Sequence, residues 1–295
     1  LATMLAAEML WTLNLNFRRT ESLLTQDQAR QFALGAEAWA RDILAEDARD
    51  DGPAGTDHLE ENWAQRLPPL LVDGGVLDGY IEDAQGRFNL NNLVNTRTGE
   101  RQEVIYEQFR RLLQALELDP ALADAVVDWI DPDQIPELQG AEDDAYTGRE
   151  PPYRAANFWF VSPTELLAIQ GFDADIYEVL APHVAALPMP WDSDGNFVHA
   201  VNINTATEAV LLSVSPLMSL TDAELLAEER PLDNLDSFTQ RFADDSVELP
   251  PVSVGSNYFR LTVNVTVGTT RVAMYSLLER SGPAVVTRLR TFDTD

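Results

Sequence analysis

The sequence predicts an α+β protein in which a long leading helix and an antiparallel sheet are interrupted by a large all-α insertion. Three observations predict it. A helical apolar stripe runs through the opening residues to about Ala45, strict apolar–polar alternation marks the tail, and the stretch between carries helical periodicity with repeated capping motifs.

The leading helix comes first. Phe32, Ala36, Trp39 and Ile43 recur at i, i+4, i+7 and i+11, which puts them on one face. The pattern stops in an acidic loop from Asp47 to Asp57 that contains Gly52 and Pro53. Upstream lies an apolar stretch through Met4, Leu5, Met9, Leu10, Trp11, Leu13, Leu15 and Phe17. With Glu8 inside it, the stretch falls short of the roughly 20 apolar residues of a membrane span. Two readings stand, an ordinary amphipathic first helix or the tail of a longer helix whose membrane half lies upstream. Gly75 to Asp83 and Arg87 to Leu90 read as two short strands about the turn Asp83-Ala84-Gln85-Gly86.

The block after them is helical. Ile105, Phe109, Leu112 and Leu116 form one face, and Leu122, Val126 and Trp129 the next. Capping boxes are expected at Ser162 with Glu165, Thr205 with Glu208, and Thr221 with Glu224, with Pro163 in a tolerated first-turn position. In the tail Phe259, Leu261, Val263, Val265 and Val267 alternate with Tyr258, Arg260, Thr262, Asn264 and Thr266. Arg271 to Glu279 and Ala284 to Phe292 follow as strands, completing a meander. The expected domains are residues 1–90 (helix and first strands), 91–250 (helical insertion) and 251–295 (closing strands).

The chain has 295 residues, 45% of them hydrophobic, enough for two cores. Its 49 acidic and 20 basic residues, all the latter arginine, leave a net charge of -29. That field repels nucleic acid and anionic lipid and favours cations and basic partners. With no cysteine, a thiol nucleophile, a cysteine zinc site and a disulfide framework are excluded.

Chemistry concentrates between Asp128 and Asp144, where seven acidic residues occur and no basic one. Two carboxylates about 4 Å apart repel by roughly 4 kcal/mol at an effective dielectric of 20. A fold that gathers them needs a neutralising partner, and calcium takes six to eight oxygen ligands from a flexible loop. Asp131 and Asp133 have the alternate spacing of a calcium loop's first ligands, with Pro132 stiffening the turn. Glu142 and Asp143 would close the site from the far side, and Asp128 stands one helical turn before Asp131. The competing reading is an acidic loop facing water. Pro132, Pro136 and the apolar Trp129 and Ile130 argue for an ordered loop, and both readings stand. Asp192-Ser193-Asp194-Gly195-Asn196 resembles the opening of an EF-hand but lacks the downstream Glu, so it reads as a tight turn.

Catalytic signatures are sparse. His58, His183 and His199 have no metal-ligand spacing, and no nucleophile elbow, phosphate-binding glycine loop or dinucleotide fingerprint occurs. Paired carboxylates for hydrolysis, as in glycoside cleavage, are the alternative function, which becomes a calcium-dependent periplasmic hydrolase under the compartment implied by the family resemblance given below. Val201-Asn202-Ile203-Asn204-Thr205-Ala206 looks like the opening of a helix-hairpin-helix unit. Phosphate binding there needs glycine, and none occurs from Asn196 through Val254; no basic residue lies between Asn202 and Glu229. No nucleic-acid partner is expected.

Several stretches together resemble the minor pseudopilin K family of type II secretion, the general secretion pathway protein K family. They are Arg19-Thr20-Glu21 with Asp27-Gln28-Ala29, Ala33 to Ala40, Gln85 to Leu93, Asp128 to Asp133, Gly140 to Asp143, Pro152 to Asn157 and Asn202 to Ala206. The resemblance implies a pilin-like long N-terminal helix and antiparallel sheet with a large α-helical insertion. It implies calcium at Asp131, Asp133, Glu142 and Asp143, with Asp128, Gln134 and Asp144 as further positions. It also implies a non-enzymatic tip of the periplasmic pseudopilus in complex with the I and J minor pseudopilins, against the pseudopilus shaft. For the whole protein it implies a single N-terminal helix in the inner membrane, most of that helix and the prepilin leader not being in this sequence. The expected partner-binding residues are Leu5, Met9, Phe32, Ala36, Trp39 and Ile43 along the leading helix.

Overall fold

A computed structural model describes residues 2–50, 55–95, 97–190, 197–244 and 246–293. The chain forms two compact units, Leu1–Pro53 with Glu60–Glu82 and Phe259–Asp295, and Ala54–Leu59 with Asp83–Tyr258.

The first unit is a long helix on a sheet. Helix α1 covers Ala2–Asp50, five residues beyond the expected stop at Ala45; Gly52 and Pro53 lie outside the described residues. Strands β1 (Leu70–Val72), β2 (Gly75–Asp83), β3 (Tyr258–Val267), β4 (Thr270–Ser281) and β5 (Ala284–Phe292) stand side by side in chain order. The pairs β1–β2 and β4–β5 are antiparallel, with Leu71 opposite Val76 and Glu279 opposite Val286. The alternating apolar residues of β3, Phe259 to Val267, are all buried, as the period-two pattern requires. Trp63 packs edge-on against Phe259, ring centroids 5.1 Å apart.

The face that α1 buries is one position round from the expected stripe. Ala29, Ala33, Ala40, Leu44 and Ala45 are its buried apolar residues, while Phe32, Ala36 and Ile43 flank them and Trp39 is exposed. Small alanines let the helix axis approach the sheet, which displaces the bulkier stripe to the rim. Glu37, 2% exposed, shares the buried face. Its carboxylate accepts from Ser276 Oγ (2.7 Å), Thr287 Oγ1 (2.8 Å) and both Nε and Nη2 of Arg290 (2.8 and 2.6 Å). Burial pushes its pKa up, but these donors outweigh burial and hold it below the usual range. Glu37→Ala is expected to cost about 2–3 kcal/mol. Because the folded pKa is depressed, that contribution is present above about pH 4.3 and fades as acid protonates the folded carboxylate. Urea melts of the substituted and parent chains at pH 7 and pH 3 check it; equal midpoints at pH 7 would refute it.

The second unit is helical: α2 (Glu103–Ala115), α3 (Leu122–Ile130), α4 (Asp143–Thr147), α5 (Ala174–Leu180), α6 (Glu208–Val214), α7 (Leu220–Glu229) and α8 (Asp236–Phe242). Its core gathers Phe109, Leu112 and Leu113 of α2, Val126 and Ile130 of α3, Tyr146, Phe160, Ile203, Val210 and Phe238.

Three expectations are corrected here. Phe88–Asn89 does not return against β2 but pairs in parallel with Val184–Ala185. The reason is polar: Asn91 donates to the carbonyls of Phe160 and Leu187 and accepts the Phe160 amide, Asn89 accepts the Leu187 amide, and Asn92 bonds both backbone groups of His199. These fully buried amides replace a ladder with side-chain clamps. The box at Ser162 and Glu165 forms, on a 3-10 turn. Helix α6 is instead capped by Thr207, because the Thr205 hydroxyl donates to Asp83 Oδ2 at 2.6 Å. Helix α7 is capped by Ser219 with Asp222, two residues before the expected Thr221 box. The tight turn at Asp192 to Asn196 lies outside the described residues.

Candidate functional site: a buried carboxylate cluster

Helix α3 ends because Pro132 follows Asp131, and the residue before a proline is driven out of the helical region. Asp131 there has an extended backbone, φ -68° and ψ 156°. The chain loops from Pro132 to Ala141 and restarts as α4, with Glu142 at the N-cap position. Glu142 makes no cap hydrogen bond and turns its carboxylate back toward α3. The result brings oxygen atoms of Asp128, Asp131 and Glu142 within 4.8 Å of one another. The three side chains are 0, 7 and 6% exposed.

The loop is shaped around Asp128. Its two oxygens accept the Glu137 amide at 3.1 and 3.2 Å. Gly140 passes so close that a Cβ would stand 1.8 Å from Asp128 Oδ2, so no other residue fits there without moving the carboxylate. Trp129 and Tyr146 meet edge to face at 5.4 Å and Tyr146 stacks on Tyr153 at 5.3 Å, giving α3 and α4 a rigid aromatic backing.

Electrostatically the cluster is unfavourable as it stands. Burial pushes Asp128 up to about 6, against amide hydrogen bonds that lower it. Burial, then the charges of Asp133 and Asp128, push Asp131 up to about 7. Burial, then Asp128, Asp131, Asp133 and Asp143, push Glu142 up to about 8. Asp131 Oδ1 and Glu142 Oε1 are buried without any hydrogen-bond partner. Unpartnered buried oxygens, in a set made only of carboxylates, are what a hard divalent cation takes as ligands.

The other expected ligands stand differently. Gln134 donates to Glu142 Oε2 at 3.2 Å. Asp133 is exposed and accepts the Ile135 amide at 2.7 Å. Asp143 turns to the Ala155 amide at 3.1 Å and to Arg154 Nε at 3.7 Å. Asp144 is exposed. No histidine joins the cluster among the described residues. Asp124, not anticipated from the sequence, is buried one turn before Asp128 and accepts the Gln139 amide at 3.0 Å; its i, i+4 spacing from Asp128 was the available signal.

The helix-hairpin-helix-like stretch serves the interior. Asn202 donates to the Asp57 carbonyl (3.0 Å), Asp83 Oδ2 (2.9 Å) and Ser256 Oγ (2.9 Å), and Asn204 to the Leu232 carbonyl (3.0 Å). On the first unit, Met9 is exposed and the side chain of Leu5 lies outside the described residues. Ala36, Trp39 and Ile43 line a groove with Trp63, Leu67 and Tyr80. No described helix is long and apolar enough to cross a membrane.

Residues 86–189 match the family model described as type II secretion system (T2SS), protein K. The type II secretion system protein K of Pectobacterium carotovorum subsp. carotovorum is 36% identical over 290 residues, covering 91% of this chain and 85% of that protein. Its namesake from Pseudomonas aeruginosa is 36% identical over 292 residues, covering 94% and 84%. The chain belongs to the type II secretion system protein K family. A solved member of comparable architecture belongs to the GspK-GspI-GspJ complex from the enterotoxigenic Escherichia coli type 2 secretion system; it superposes with a TM-score of 0.77 at 27% identity, over 94% of this chain and 100% of that one. The stretch matched by the protein K model contains the whole carboxylate cluster and both arms of the loop. The protein K relatives are named as parts of a secretion system, which suggests a role other than catalysis.

Proposed function

We propose that the chain is a minor pseudopilin that caps the periplasmic pseudopilus of a type II secretion system, bound to the I and J minor pseudopilins and held by calcium in its helical insertion, residues 91–250. The observation that carries the assembly role is the likeness over nearly the full chain to a protein K solved as part of a GspK-GspI-GspJ complex. The apolar residues that α1 leaves exposed from Met9 to Leu24, together with the groove at Ala36, Trp39 and Ile43, support a surface for partner helices. In this reading α1 continues upstream into a single inner-membrane helix and the rest of the chain lies in the periplasm. In this reading the chain is a tip rather than a repeating subunit.

Calcium is the cation this reading assigns to Asp128, Asp131 and Glu142, with Gln134, Asp133, Asp143 and Asp144 around them. The two unpartnered buried oxygens support it. Pull-down of the I and J pseudopilins tests the assembly: Trp39→Glu with Phe32→Glu is expected to reduce capture by about tenfold or more, the size of a lost interface anchor. Undiminished capture would remove this face from the interface.

A further inference from the structure

Outside the carboxylate cluster, one set of side chains converges on the loop that carries it. Asp124 Oδ2 holds the Gln139 amide at 3.0 Å, and its other oxygen accepts the Tyr106 hydroxyl, brought by α2. The Tyr106 ring lies under the Arg101 guanidinium, 4.1 Å from the ring centroid. Arg101 Nη1 in turn reaches Glu137 Oε1 at 2.9 Å, back on the loop. The contacts therefore close a circuit from the loop to α3, to α2, to Arg101 just ahead of α2 and back to the loop. Beside it, Gly99 abuts Pro132 so tightly that a Cβ would stand 2.7 Å from Pro132 Cγ. Tyr106, Arg101 and Gly99 offer the cluster no ligand atom.

We propose that Tyr106, Asp124 and Arg101 form an outer brace that positions the loop and thereby sets the affinity of the Asp128–Asp131–Glu142 site for its cation. The proposal rests on the reading of that cluster as a cation site. Like charges in the cluster push Asp131 and Glu142 apart, so an unsupported loop would open, and an arriving cation would have to order it at the cost of affinity. The brace fixes Gln139 and Glu137 beforehand, so the carboxylates are presented at bonding distance. Burial and then Asp124 push the Tyr106 hydroxyl well above the usual phenol range, so it stays a proton donor to that carboxylate. Residues that orient ligands from behind in this way typically change metal affinity by about 10–100-fold when removed.

Calcium titration of the whole chain by calorimetry tests this, on the parent, Tyr106→Phe, Arg101→Gln and Asp131→Asn, with a melt of each in chelator. Tyr106→Phe is expected to raise the calcium Kd about tenfold and Arg101→Gln by a smaller factor, with stoichiometry unchanged. Asp131→Asn is expected to abolish binding. A purely structural role would lower the melt equally in calcium and chelator and leave Kd alone; that result in both brace variants overturns the proposal. Should Tyr106→Phe fail to fold, Arg101→Gln, whose side chain is 27% exposed, carries the same test. A parent chain that binds no calcium instead overturns the cation reading beneath it, a distinct outcome from a parent that binds while the brace variants bind equally well.

Discussion

Asp131→Asn is expected to move stability in opposite directions with and without calcium. In chelator the parent keeps three carboxylates with oxygens within 4.8 Å of one another, two of them with a buried oxygen that has no hydrogen-bond partner. Removing one charge relieves repulsion on the order of 1–2 kcal/mol, so the substituted chain should melt higher. In calcium the comparison reverses. A cation that binds the folded state at about 100 times its Kd adds about 2.7 kcal/mol, which for a unit of this size is about 5–10 °C of melting temperature. On the proposed calcium reading the substituted chain loses most of that gain, because the charge removed belongs to one of the assigned ligands. Differential scanning calorimetry in chelator and in calcium at about 100 times the Kd measured for the parent reads both signs at once. A shift of the same sign and size in both buffers would show that Asp131 does not ligate the ion, and the calcium assignment would fall with it.

How much of this was legible in the sequence depends on the physical range of each signal. The β3 strand was readable because burial on one sheet face imposes a period of two, and Phe259 to Val267 obey it without exception. The long reach of α1 was readable for the same kind of reason, yet the face it buries was not. Nothing in the spacing of Phe32, Ala36, Trp39 and Ile43 says that the neighbouring Ala29, Ala33 and Ala40 sit deeper, since that follows from how near the sheet lets the helix come. Glu37 illustrates the limit: a charged residue inside a helical stripe looks like a solvent position until Arg290, 253 residues on, is found beside it. Strand β1 is only Leu70–Val72 and lies at the sheet edge, too short for any period to show. Capping followed local competition, with Asp222 beside Ser219 forming the box that Glu224 and Thr221 were expected to make. In the carboxylate cluster, the spacing from Asp128 through Asp131 to Glu142 pointed to a segment whose carboxylates the structure brings together. What it could not convey is that Asp133 and Asp143 turn to backbone amides of their own neighbourhood, while Asp124 turns inward.

In chelator the parent chain is expected to gain stability as the pH falls from about 8 toward 5, contrary to the usual behaviour of an acidic protein's salt-bridged carboxylates. The sign follows from the direction of the shifts. Asp128, Asp131 and Glu142 are pushed up to about 6, 7 and 8 in the folded chain, against ordinary values near 4 in the unfolded one. Between those limits the folded chain holds protons that the unfolded chain has released, and each such proton makes stability fall by up to about 1.4 kcal/mol per unit of rising pH. Glu37, whose pKa is depressed, works the other way, but only below the ordinary carboxylate range, so it leaves the interval above pH 5 to the cluster. Calcium should cancel the trend over that interval, because it displaces the protons from the same oxygens and the calcium-bound cluster then holds none that the unfolded chain has released. The two stability curves, measured by urea melts at half-unit pH steps, should therefore converge near pH 5 and diverge toward pH 8. Parallel curves would mean that the ion and the protons do not share these carboxylates, and that the burial of Asp131 and Glu142 has some other compensation.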